Sequence, residues 1–112
     1  MIGFVKQKEL LDLLEENGEN TKCYFEEVKN KNEDYIYVRR IEDASIPADN
    51  TNFFIYNRIE ITVYSKTVLK RTNLCRYINS VFDTVFSFAR ANDIYTATCT
   101  VNLKVDEWNA SP

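Results

Sequence analysis

Histidine is absent from the 112-residue chain. Its absence removes the side chain most often used as a general base at neutral pH, the Ser-His and Cys-His nucleophile pairs, and histidine-ligated metal sites. Glycine occurs only at Gly3 and Gly18, so no glycine-rich phosphate loop can be built. Two prolines leave little linker material. No apolar run is long enough to span a bilayer. The start, "MIGFVKQKELL", is interrupted by Lys6 before any apolar stretch of signal-peptide length, so a cytoplasmic protein with no membrane partner is expected. The three cysteines, Cys23, Cys75 and Cys99, are odd in number and widely spaced, with no C-x-x-C pair. Free buried thiols are the expected reading, not a disulfide framework or a zinc site.

Positive charge is also scarce as a cluster. Fourteen basic residues face seventeen acidic ones, for a net charge of −3 and a pI near 5.0. A protein that grips nucleic acid concentrates Lys and Arg to displace phosphate counterions. This balance argues against tight DNA or RNA binding, but not against a channel through which DNA passes.

What the chain does have is an ordinary globular composition, 45% hydrophobic and 28% charged, with aromatics at 13%. The length fits a single domain over residues 1–112. Phe4, Leu10, Leu11, Leu13 and Leu14 predict a helix over Phe4–Asn17, ended by Gly18 in the left-handed C′ conformation. Strands are predicted over Lys22–Val28 and Tyr35–Glu42, paired as a hairpin across the polar turn Asn30–Asp34. A polar loop follows over Asp43–Thr51, with Pro47 and one large apolar residue, Ile46. A third strand is expected over Phe53–Ser65. Thr67 or Thr72 is the candidate cap of a second helix. That helix would run to about Phe86 or Phe88 on a core stripe of Leu74, Ile78, Val81, Phe82 and Val85, with "ARAND" at Ala89–Asp93 ending it. From Ile94 to Asp106, apolar residues alternate with Thr, Asn, Lys and Asp, and a one-residue slip would bury the whole polar set. The expected fold is α+β in the order α-β-β-β-α-β. It is a two-layer sandwich of a mainly antiparallel sheet of about four strands with both helices on one face.

Chemistry-bearing patterns are few. The acidic pairs, such as Glu26–Glu27 and Asp106–Glu107, are adjacent in sequence and so face opposite sides of a strand; solvated surface charge is their plain reading. Glu27-Val28-Lys29 is half of the D…[D/E]-x-K pattern of divalent-metal nucleases. The missing half is an Asp on a neighbouring strand, and the only upstream Asp is Asp12, within the first helix. A nuclease is therefore a remote alternative. No catalytic residue, cofactor or metal site is assigned.

The aromatic residues ask more. In "NFFIYNRIEITVYSKT", Asn52–Thr67, one face of the strand is a core face; the other carries Phe54, Tyr56 and Tyr64 beside Arg58, Glu60 and Thr62. Tyr24, Tyr35 and Tyr37 add to the set. They are explained either as cover for sheet edges, as contact surface for other protein subunits, or as a base-stacking platform, for which Arg39, Arg40 and Arg58 would supply charge.

The passage "IEITVYSKTVLKRTNLCRYINSVF", followed by the long strand "YTATCTVNLKVDEW", resembles the tail-terminator (tail-completion, head–tail joining) proteins of long-tailed bacteriophages. The resemblance lies in Ile61, Val63, Tyr64, Ser65 and Lys66, then Leu74, Ile78 and Phe82, and in the order of elements. Relatives often carry a proline-rich stretch before the long strand, of which only Pro47 is present, and Tyr24–Arg40 has no counterpart. The resemblance implies a virion structural protein, not an enzyme. It implies a homo-oligomeric ring, commonly a hexamer, that caps the tail tube and docks to the head connector, with DNA as passing cargo. It would be made in the host cytoplasm and end at the head–tail junction of the virion. Ile46, Phe54, Tyr56 and Tyr64 are the candidate interface residues. Another neck or head-completion protein is the nearest alternative, and a non-phage cytoplasmic adaptor the next.

Overall fold

A computed structural model describes residues 3–29, 31, 33–48 and 52–108. The fold is α+β, with two helices and six strands in the order β-α-β-β-β-α-β-β. The strands are β1 (Gly3–Lys6), β2 (Lys22–Phe25), β3 (Tyr35–Ala48), β4 (Asn52–Ser65), β5 (Ser87–Ala91) and β6 (Ile94–Glu107). The helices are α1 (Gln7–Asn17) and α2 (Val68–Phe82). The strands form one mixed, strongly curled half-barrel sheet, ordered β1-β6-β4-β3-β2, with β5 also on β6.

Both long strands behave as their alternation predicts. Ile59, Ile61 and Val63 of β4 and Ala97, Cys99, Val101, Leu103 and Val105 of β6 are buried on one face. Leu10 and Leu14 of α1 and Leu74, Cys75 and Ile78 of α2 join them with Ile36 and Val38 of β3 in one apolar core. Burial of such side chains contributes roughly 1.5–3 kcal/mol each before entropy is subtracted. All three cysteines are free and buried.

Several expectations are corrected. Six strands replace about four, because two short segments pair with β6. Gly3–Lys6 is not the first turn of α1 but a parallel strand, Gly3 aligned with Lys104. Ser87–Ala91 is not the tail of α2 but a strand antiparallel to β6. The reason is local: Asp83 takes the left-handed conformation at φ 50, its N–H bonds Asn79 O, and the Asn79 side chain accepts the Thr84 N–H at 2.8 Å. That closure stops α2 one turn early and leaves Val85, expected in the core stripe, 87% exposed. Of the two candidate caps, Thr67 is the one used, accepting the Lys70 N–H at 3.2 Å.

The predicted hairpin of the first two sequence-read strands is also wrong. β2 runs parallel to β3, Lys22 aligned with Tyr35, and ends at Phe25. Glu26, at φ 58, turns the chain away after its N–H bonds Val38 O. Parallel strands exclude the tight hairpin turn expected at Asn30–Asp34, of which residues 30 and 32 lie outside the described set. Gly18 is also needed for a reason other than the one expected. Its φ is −104, and the left-handed residues are Glu19 and Asn20. A Cβ at Gly18 would lie 2.7 Å from Leu14 O and 3.2 Å from Ile36 Cδ1. The glycine is demanded by the backbone of α1 itself, whose Leu14 carbonyl leaves no room for a Cβ, with Ile36 and Leu74 side chains closing the rest of the space.

The largest correction is the loop. Asp43–Ala48 is not irregular but the second half of β3, paired with β4 as far as Ala48 opposite Asn52. Positions 49–51 lie outside the described residues. Pro47 is tolerated because β3 is an edge there: β2 reaches only to Val38.

Candidate functional site

β4 pairs with β6 only from Asn57 to Ser65. Its first five residues, Asn52–Tyr56, pair with β3 alone among the described residues. The β3–β4 hairpin therefore leaves the body as a two-stranded ribbon, about 17 Å long at strand rise. The molecule measures 51 × 30 × 21 Å.

The base of this arm is a polar clasp. On the core face the apolar run Val63, Ile61, Ile59 gives way to Asn57, 5% exposed. Asn57 Nδ2 donates to Asp43 Oδ1 at 2.6 Å, and Asn57 Oδ1 accepts the Val105 N–H at 2.9 Å. Arg40 pairs with the Asp43 carboxylate through Nε at 3.0 Å and also through Nη2, and lies 4.5 Å from the Trp108 ring centroid. The Arg40 guanidinium, with the Asn57 amide second, holds the Asp43 carboxyl below its ordinary pKa. On the opposite face Arg58 pairs with Glu42 at 2.6 Å and Arg39 with Glu60 at 3.1 Å. The register shifts between Arg40 and Glu42, a bulge at Ile41. Bulges bend a strand and raise its twist, which sets the direction in which the arm departs.

The four sequence-picked interface residues fall into two groups. Ile46 and Phe54 are cross-strand partners on the arm, and Tyr56 pairs with Ala44 at its root. The side chains of Ile46 and Phe54 lie outside the described set; that of Tyr56 is half-buried. Tyr64 is not with them. It sits eight positions along β4, roughly 27 Å away. There its ring stacks on Tyr35 at 4.6 Å, and Tyr24 meets Tyr35 edge-on at 6.0 Å. Burial, and then the Tyr64 hydroxyl, raise the Tyr35 pKa. A groove of about 370 Å³ opens beside this stack, lined by Lys31, Asp34, Tyr35, Tyr64, Lys66 and Asn92 among others. Between the two groups the outer face carries the Arg58–Glu42 and Arg39–Glu60 pairs and then Thr62, whose hydroxyl is 3.3 Å from that of Thr98.

The three arginines offered for base stacking are each engaged with a carboxylate: Arg39 with Glu60, Arg40 with Asp43, Arg58 with Glu42. Glu27 and Lys29 of the nuclease fragment and the upstream Asp12 line one groove of about 500 Å³ between α1 and β2, together with Glu15. No group of three acidic or cysteine side chains suited to hold a metal occurs among the described residues. Glu15 instead accepts the Cys23 N–H at 3.2 Å, which covers part of the β2 edge.

The surface that sequence reasoning missed is β5. All five of its residues are exposed, and Phe88 is 60% exposed beside Val85. Arg71 of α2 reaches across to it, 4.8 Å from the Phe88 ring and 3.2 Å from Ala89 O. The short alternation of "SFARA" carries the signal, but it is hidden directly behind a strong helical stripe.

No protein-family profile matches the chain, and no curated protein matches its sequence. The phage resemblance therefore rests on the strand–turn–helix motif, because the observed order β-α-β-β-β-α-β-β departs from the α-β-β-β-α-β on which it was also drawn. The turn of that motif has a clear local basis. Ser65 is buried, its hydroxyl donates to Thr67 O at 3.0 Å and accepts the Thr67 N–H, and the Lys66 N–H bonds Asp34 at 2.9 Å.

Proposed function

We propose that this chain is a structural subunit of a phage neck, of the tail-terminator kind, which forms a ring on the end of the tail tube and joins it to the head connector. The observation that carries the reading is the β3–β4 arm. A two-stranded ribbon alone is marginal in water, yet here one extends past the body, anchored by a buried Asn57 clasp and made of a segment holding Ile46, Phe53, Phe54, Ile55 and Tyr56. An element of that kind is stabilised by neighbours in an assembly. The motif at Ile61–Lys66 supports the tail-terminator form over another neck protein, and a ring of identical subunits would use two different patches of each.

The test is genetic and structural together. Disrupting the gene in a phage that carries it is expected to leave filled heads and unjoined tails. Adding the purified protein to those tails restores joining, and electron microscopy places it at the tube end. Normal virions from the disrupted phage would remove the proposal. Incubation with DNA and Mg²⁺ or Mn²⁺ tests the nuclease alternative: cleavage that disappears in Glu27→Ala would replace the structural reading with an enzymatic one.

A further inference from the structure

The sheet has three edge strands among the described residues, β1, β2 and β5. Exposed edges invite pairing, and proteins normally blunt them. β2 is short and part-covered by Glu15. β1 is four residues long, with Phe4 packed on the core. β5 is one residue longer, and Arg71 reaches its Phe88 ring and Ala89 O. Its sequence, Ser-Phe-Ala-Arg-Ala, contains no proline, lysine or acid. It is joined to β6 by Asn92-Asp93, with Ala91 opposite Ile94. A two-residue hairpin makes its flanking pair hydrogen-bonded, and the pattern then alternates. The backbone groups of Ala91, Ala89 and Ser87 therefore face β6, and those of Phe88 and Arg90 face outward.

The arm is the second feature with open edges, and its β4 edge, Asn52–Tyr56, contains no proline, whereas its β3 edge is blunted by Pro47. Beyond Val38 on β3 and before Asn57 on β4, the outer edges of the ribbon have no partner strand among the described residues. Its flanking charges are already neutralised in pairs: Arg40 with Asp43, Arg58 with Glu42, Arg39 with Glu60. By sequence the arm segment carries one acid, Asp49, and β5 one base, Arg90, so their formal charges are opposite in sign and favour each other over a like-charged partner.

The two features sit at opposite ends of the same strand. The arm uses Asn52–Tyr56 of β4, whereas β5 lies against the part of β6 that pairs with Thr62–Ser65. About ten residues of β4, roughly 33 Å, separate their centres. The arm cannot reach the β5 of its own chain, but the same two surfaces meet when one copy is placed end to side against another. We propose that β5 is the docking edge for the β3–β4 arm of a second copy of this chain, so that the sheet continues from subunit to subunit by strand addition. The contact is heterologous, with different patches on its two sides, so it closes into a ring if the rotation permits. Phe88 and Val85 cover the apolar arm sequence, and the outward groups of Phe88 and Arg90 supply the ladder. The inference rests on the ring reading above for its partner, and it names the two surfaces that make the ring.

Complementation between two defective variants tests it. In the first, residues 45–55 are replaced by Asn-Gly, joining the cross-strand partners Ala44 and Tyr56 by a two-residue turn. In the second, Phe88→Pro removes an outward N–H while leaving the β6-facing groups in place; Phe88→Lys serves as its companion if proline disturbs folding. Circular dichroism checks that each retains its fold. By light scattering after size exclusion, the wild type is expected to self-associate at high concentration and each variant alone to be monomeric. An equimolar mixture of the two is expected to give a one-to-one pair and nothing larger, since each supplies the surface the other lacks. Association of Phe88→Pro and Phe88→Lys at wild-type level would overturn the proposal in favour of an arm-to-arm contact. A wild type monomeric at every concentration would overturn it as well, while tail joining would still be decided by complementation of the phage. The predicted pairing without tail joining would retain this contact and remove the tail assignment.

Discussion

Asn57 and Val105 replace a missing rung of the sheet: the Asn57 side-chain oxygen accepts the buried Val105 N–H at 2.9 Å where β6 parts from β4. The same amide donates to Asp43 on β3, so one side chain ties three strands at the root of the arm. Asn57→Ala leaves the Val105 donor buried without its partner. A loss of about 1–3 kcal/mol is expected, read as a lower urea midpoint. An unchanged midpoint would mean that the clasp does not hold the arm.

Asp43 makes the clasp sensitive to acid. Its folded-state pKa is lowered, first by Arg40 and then by Asn57. A lowered carboxyl pKa contributes stability that is fully present above the ordinary value, about 3.9. That contribution is lost as the pH falls through the folded value. The melting temperature of the wild type is therefore expected to drop more steeply below about pH 4 than that of Asp43→Asn. Parallel curves would show that the Arg40 pair is too well solvated to matter.

Gly18→Ala is expected to destabilise by about 1–3 kcal/mol, as overpacking of a tight contact does. The added methyl would meet Leu14 O at 2.7 Å, and a backbone carbonyl cannot step aside as a flexible side chain can. Thermal melting checks this. A neutral result would show that the last turn of α1 can open away from the Leu14 carbonyl at little cost.

Tyr56→Ala separates interface from core. Its half-buried position at the root of the arm predicts a loss of about 2 kcal/mol in subunit association, as for aromatic interface anchors, with a smaller loss of folding stability. Sedimentation and melting of the same variant measure the two. A variant that melts far below wild type would assign Tyr56 to the fold.

The thiols are expected to be inert in the native protein. Burial raises the pKa of Cys75 to about 11 and of Cys99 to about 12, and that of Cys23 further. The reactive thiolate is therefore scarce near neutral pH. Ellman's reagent should titrate all three only after denaturation. Rapid reaction of one thiol without denaturant would mark a local opening.

How much of this was readable beforehand depended on periodicity. β6 and the body of β4 alternate cleanly, and their buried apolar residues are ones the pattern names, whereas the burial of Asn57, Thr62 and Ser65 on β4 is not in it. α1 and α2 announce themselves by their stripes. The failures have a common cause: short strands with no period of their own take their identity from a distant partner. Gly3–Lys6 and Ser87–Ala91 are strands only because β6 lies alongside. The parallel pairing of β2 is likewise a tertiary decision that no local turn residue encodes. Asp43–Ala48 read as loop because Pro47 and its polar neighbours are loop-like, whereas at an unpaired edge they are compatible with a strand. Among the site residues, the grouping of Phe54 and Tyr56 on one element was accessible; the separation of Tyr64 and the exposure of Phe88 were not.

The position of β6 has a consequence for how the chain is made. It follows every other element described, yet β1, β4 and β5 all pair with it. Until Ile94–Glu107 has emerged from the ribosome, β1 has no neighbour and the edge of β4 at Ile59, Ile61 and Val63 stands open. Nascent chains stalled before that point would expose an apolar ribbon edge, the kind of surface that chaperones shield and aggregates recruit. Folding of this domain is thus expected to be delayed until β6 is synthesised, with no stable half-sheet formed on the way.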